Sequence, residues 1–145
     1  MLSYNSAKEL VDRLDHLSKI LASTQNITIY HGFKGGERIP FEEAKEQLAL
    51  ISKTGAEIKE ELMQYQDQEV VSSIISLCIT YANRLLENTK ILGDITEKLK
   101  QSSDGGERYG FFKFWSDTKE WKRNTKKLIN VRSNVELFMR NTAPW

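Results

Sequence analysis

The chain has 145 residues, a single cysteine, 28% charged residues and a net charge of +1. That length suits one domain, 1–145, able to bury roughly 70% of its unfolded surface without metal or disulfide staples. Lone Cys78 excludes an intrachain disulfide and fits a reducing, cytoplasmic setting, while the small net charge excludes a global field toward nucleic acid or lipid.

No basic lead precedes an apolar run at the N-terminus, so no secretory signal is read there. Ser6 with Glu9 forms a capping-box pattern, and Ala7, Leu10, Leu14, Leu17 and Leu21 supply the stripe of a first helix ending near Thr24. Residues 25–39 hold β-branched Ile27, Thr28 and Ile29 and then Gly32, Gly35 and Gly36. They read as a long loop with a short extended piece, and such loops are functional or disordered.

Pro40 opens a second helix, with Glu42 and Glu43 in its positive-dipole first turn. Phe41, Ala44, Leu48, Ile51, Gly55, Ile58, Leu62 and Tyr65 keep the three-four rhythm. Gly55 costs about 1 kcal/mol of helix propensity there, tolerable where another helix crosses closely. Asp67 caps the next helix after a tight turn around 64–68; one long bent helix is the alternative.

From Asp67 to Lys100 the central helix carries Val71, Ile74, Cys78, Tyr81, Leu85, Asn88, Leu92, Ile95 and Leu99 on one stripe, with Ile75, Ile79, Ala82 and Leu86 widening its first half. Cys78 reads there as a small buried hydrophobe. Asn88 is either a buried register-setting polar residue or the point where the stripe turns to solvent. Serines, Thr80, Asn83 and Arg84 break the apolar run, so it is a core helix and not a membrane span. After a polar-glycine loop, a last helix starts at Ser116 or Asp117 and runs to about Asn141, with Trp121, Thr125, Leu128, Val131, Val135 and Phe138 inward and Pro144 beyond it. Four such stripes and no strand-rich region predict an all-α, up-and-down four-helix bundle with a long glycine-containing first loop.

Catalysis finds little footing. His16 and His31 are far apart and lack a partner at metal spacing, and no Glu-x-x-His pair exists, so no catalytic residue, metal or cofactor is assigned and the chain reads as a non-enzyme. Gly-Gly-Glu-Arg occurs at 35–38 and 105–108, but neither copy has the lysine and hydroxyl of a phosphate-cradling loop. No small-molecule substrate is evident.

Charge is uneven. The second helix is acidic, whereas Lys119, Lys122, Arg123, Lys126 and Lys127 of the last helix lie largely opposite its apolar stripe. They either face solvent and the acidic helix or make a basic amphipath for anionic lipid or nucleic acid. Directly before them, Tyr109, Phe111, Phe112, Phe114 and Trp115 either plug one end of the bundle or form an exposed patch for a partner or bilayer.

The long helix holding Cys78, Leu85-Leu86-Glu87 and 91–100, the glycine loop, the aromatic-basic run to Phe114-Trp115 and the helix with Lys126-Lys127-Leu128 and Val135 together resemble the N-terminal helical domains of NLR-type (nucleotide-binding, oligomerising) immune receptors. The closest in style are fungal HeLo and SesA-type domains and, more distantly, the bundle of mixed-lineage kinase-like proteins. The similarity spans about 42–139 as a pattern. It implies a signalling or cell-death effector bundle, oligomerised by an attached receptor module and in some relatives membrane-permeabilising. Those relatives begin with a smooth apolar or Gly/Ala-rich helix, whereas this chain has Lys8-Glu9-Leu10-Val11-Asp12-Arg13.

The function expected is that of a non-enzymatic interaction or signalling module with a protein partner or self-association. The alternatives are a peripheral membrane effector using residues 109–115 and the basic helix, and a nucleic-acid-binding bundle, the less favoured.

Overall fold

The computed structural model describes residues 2–30, 39–66 and 72–142. Four long helices run through them: α1 (Tyr4–Gln25), α2 (Phe41–Met63), α3 (Ser72–Ser103) and α4 (Phe111–Thr142), with no strand among the described residues. The expected all-α four-helix bundle is what forms. No helix among the described residues is long and apolar enough to cross a membrane.

Helix α1 starts a turn earlier than the Ser6–Glu9 pattern predicts. Ser3 is the N-cap, its Oγ accepting from the Ser6 N–H at 3.1 Å. Leu2 and Ala7, the two positions of a hydrophobic staple around that cap, are both buried, so apolar anchoring selects Ser3 over Ser6. At the other end, residues 27–29 are not extended. Asn26–Tyr30 continue α1 as a π-helical turn in which the Thr28 hydroxyl donates to the Thr24 carbonyl at 2.8 Å and Ile29 enters the core. Burial and hydroxyl-to-carbonyl bonding override the β preference of the side chains. His31 and the first Gly-Gly-Glu-Arg lie outside the described residues, as do Asp67 and Val71.

Helix α2 follows Pro40 as expected and buries Ala44, Leu48, Ile51, Gly55, Ile58 and Leu62. A Cβ on Gly55 would stand 2.9 Å from Leu86 Cδ2, so the missing side chain marks the close crossing of α2 and α3. Helix α3 packs most extensively on α2 and α4 and also touches α1. Its inward residues, Ile74, Cys78, Tyr81, Leu85, Asn88, Leu92 and Ile95, are all buried, as the stripe predicts. Burial, with a smaller push from the Asp15 charge, takes the Cys78 thiol up to about 12, the behaviour of an inert core cysteine.

Two polar contacts fix how the helices meet. Asn88 is fully buried: its Nδ2 donates to Thr125 Oγ1 at 2.9 Å and its Oδ1 accepts from Gln25 Nε2 at 3.2 Å, tying α3 to both α4 and α1. Nearer the other end, the Tyr81 hydroxyl donates to Asp15 at 2.6 Å beside Ser18, and Asp15 pairs with Arg132 of α4 at 3.2 Å. The desolvation these polar groups suffer is offset only by such bonds, which makes them selective for this helix arrangement.

Helix α3 ends in a paired-hydrogen-bond cap. Gly105, at φ +83°, donates to the Ser102 carbonyl and Gly106 to the Gln101 carbonyl at 2.8 Å, the Schellman pattern. The second Gly-Gly-Glu-Arg is therefore a fixed helix terminator. Left-handed φ calls for glycine at Gly105, and at Gly106 a Cβ would fall 2.9 Å from that same Gln101 carbonyl oxygen.

Candidate functional site

Helix α4 begins at Phe111, not at Ser116 or Asp117, with the Phe114 N–H donating to the Gly110 carbonyl at 2.9 Å. The cause is the inward stripe. Stepping back from Trp121 by three and then four residues gives Thr118 and Phe114, and both are buried. The aromatic run is thus the first turn of α4 with its approach, and helical geometry sorts its rings.

Phe114, grouped by sequence with the docking residues, is only 5% exposed and belongs to the core. Tyr109 is also an anchor. Its N–H donates to Ser102 Oγ at 3.2 Å, its hydroxyl to Asp117 at 2.5 Å, and its ring meets Phe114 edge-on at 5.5 Å. These two corrections leave Phe111, Phe112 and Trp115, which are 66%, 83% and 46% exposed. They account for the patch reading, and Phe114 with Tyr109 for the plug reading.

All five cations expected on the outer face are exposed: Lys119, Lys122, Arg123, Lys126 and Lys127. Lys119 Nζ sits 3.7 Å over the Trp115 ring, a cation–π contact that presents ring and charge together. None of the five forms an ion pair with a described residue. Two acids of α2 pair with other helices, Glu61 with Arg13 and Glu42 with Lys100, and Lys45 of the same helix pairs with Glu97 of α3. At about 100° per residue, Phe111, Trp115, Lys119, Lys122 and Lys126 fall within an arc of roughly 80°, with Phe112 and Arg123 at its edge. Rings and cations therefore share one outer face, about 24 Å long at 1.5 Å per residue. Exposed Ile129 and Leu137 lie further along α4.

Sequence reading missed the hub that holds this turn in place. Asp117 of α4 accepts from Lys98 of α3 at 3.0 Å, from the Tyr109 hydroxyl, and pairs with Lys113 at 3.5 Å. Its partners are scattered over 98–113, across the loop, so no short motif announces it. Burial opposes ionisation of Asp117, but bonds from Tyr109 and Lys98 and the charges of Lys98 and Lys113 outweigh it and hold the carboxyl below its ordinary 3.8. A pKa lower in the folded than in the unfolded chain means that this stabilisation is complete above the ordinary carboxylate range and is lost as pH falls through the folded value. Asp117→Asn is therefore expected to be less stable than the native chain at neutral pH, with the difference shrinking below pH 3.8. Urea titrations across that range check it; a difference independent of pH contradicts it.

Among the described residues no group of three His, Cys, Asp or Glu side chains is placed to hold a metal ion. Fold and face together define a helical bundle with an aromatic-basic outer surface at one helix. No family model, curated protein or solved structure matches the chain.

Proposed function

We propose that this chain is a non-enzymatic interaction module whose last helix docks on an anionic bilayer surface. One observation carries the reading: Phe111, Phe112 and Trp115 are exposed on the same face of α4 as Lys119, Lys122 and Lys126, with Arg123 at its edge, and none of these cations has an ion-pair partner among the described residues. Interfacial helices combine these components, rings reaching the headgroup–acyl boundary and lysines meeting anionic lipid. The net charge of +1 requires the attraction to be local, and this face supplies it. In the setting implied by the resemblance to NLR-type N-terminal domains, such docking would serve a signalling bundle.

Co-sedimentation with vesicles tests it. Binding is expected to phosphatidylcholine vesicles containing phosphatidylserine and not to neutral ones. With about 1 kcal/mol per lysine near an anionic surface, Lys122→Ala with Lys126→Ala is expected to weaken binding about 30-fold. Equal sedimentation with neutral and anionic vesicles would sink the reading and direct attention to a protein partner.

A further inference from the structure

A second feature lies beside the docking face but is not part of it. Between the end of α3 and the first turn of α4 is an open cleft of about 390 Å³, lined by Lys98, Gln101, Glu107, Arg108, Tyr109 and Lys113. Its three cations come from three different segments: α3, the connecting loop and α4. The loop is held in place by the Gly105–Gly106 cap and by Tyr109, so the cleft is built before any ligand arrives.

We propose that this cleft is a binding site for a phosphomonoester group. Lys98 and Lys113 share the single carboxylate of Asp117, at 3.0 and 3.5 Å, while Arg108 is exposed and forms no ion pair with a described residue. Three cations thus stand against Asp117 and Glu107, leaving one positive charge unmatched. A ligand carboxylate matches that one charge but has only two acceptor oxygens for three cationic groups. A phosphomonoester near pH 7 carries close to two charges and three acceptor oxygens. It can take two parallel bonds from the Arg108 guanidinium and still face both ammonium groups, a pairing for which arginine's planar fork is suited. A phosphodiester of nucleic acid matches the charge but has only two free oxygens, so it gains less. The inference does not rest on membrane docking, since the phosphate can belong to a free metabolite or to a lipid headgroup.

The test follows backbone amide shifts of the full chain during titration with glycerol 3-phosphate, and separately with acetate, at constant ionic strength. Saturable shifts around residues 108–113 with the phosphate and none with acetate are expected. Arg108→Ala should weaken the affinity at least tenfold with an unchanged melting curve, and Lys113→Gln, on the facing helix, should repeat the loss. A lipid arm compares vesicles containing phosphatidic acid with vesicles of matched surface charge containing phosphatidylserine. A preference for phosphatidic acid that Arg108→Ala removes while phosphatidylserine binding persists assigns a lipid source; soluble binding without that preference assigns a free one. Shifts that do not saturate, that acetate reproduces, or that survive Arg108→Ala unchanged overturn the site. Failure of the native chain to bind phosphatidylserine vesicles would remove the docking reading and leave the soluble arm to decide the cleft.

Discussion

Leu85→Ala is expected to remove about 2–5 kcal/mol of stability, a large share of the roughly 5–15 kcal/mol typical of a domain. Leu85 has no exposed surface and lies on α3, the helix that meets all three others. Truncation there loses the transfer free energy of the removed carbons and leaves a cavity that four mutually braced helices close only in part. Asn88 and Tyr81, one turn away on either side, are held by bonds to α1 and α4, which limits how far α3 can shift to fill the space. A fall in melting temperature on the order of 10 °C follows for a chain of this size. Leu137→Ala is the control: Leu137 is half exposed, so its loss is expected to change stability by no more than about 0.5 kcal/mol. Similar losses at both positions would mean that α3 is not the centre of the core.

Phe112→Ala with Trp115→Ala is expected to weaken binding to anionic vesicles about 100-fold while leaving the fold in place. Phe112 is almost wholly in water and Trp115 about half, so both retain surface that a bilayer can cover. Full burial of such a side chain is worth about 1.5–3 kcal/mol, and a partial gain from two rings sums to roughly 3 kcal/mol. The fold loses little, chiefly the Lys119 contact with the Trp115 ring, worth about 0.5–1 kcal/mol at an exposed site. Phe114→Ala makes the opposite pattern, unfolding the end of the bundle, because that ring is buried against Tyr109. If the double variant melts far below the native chain and loses no more affinity than stability explains, its rings are structural.

Regular periodicity was legible from sequence alone, because buried positions repeating every three to four residues leave their pattern in the residue types. The stripes of α2 and α3, Gly55 at a close crossing and Cys78 as a core residue all follow from it. Helix ends were less legible, since they depend on what the neighbouring turn buries: Leu2 moved the start of α1 to Ser3, and Phe114 moved the start of α4 back to Phe111. Continuing the Trp121 stripe backward through Thr118 would have found the second of these. The extended reading of 27–29 failed because tertiary burial outweighed β propensity. On the outer face of α4, composition singled out the aromatic-basic stretch but not which of its rings point outward, a matter of helical phase that depends on where α4 starts. Asn88 left two readings open until its partners on α1 and α4 were seen, and the Asp117 hub joins residues that share no local motif.

If the outer face of α4 enters an anionic bilayer, as proposed, the Trp115 ring sits among the lipid, and brominated-lipid quenching of its fluorescence reads this out. The Trp115 signal is taken as the difference between the native chain and its Trp115→Phe variant, which removes the contributions of Trp121 and Trp145. In phosphatidylserine-containing vesicles with bromines near the headgroup end of the acyl chain, that difference signal is expected to shift to the blue and to be quenched, and in neutral vesicles to remain as in buffer. A Trp115 signal unquenched in anionic vesicles to which the chain is bound would contradict the claim, placing the contact elsewhere on the bundle.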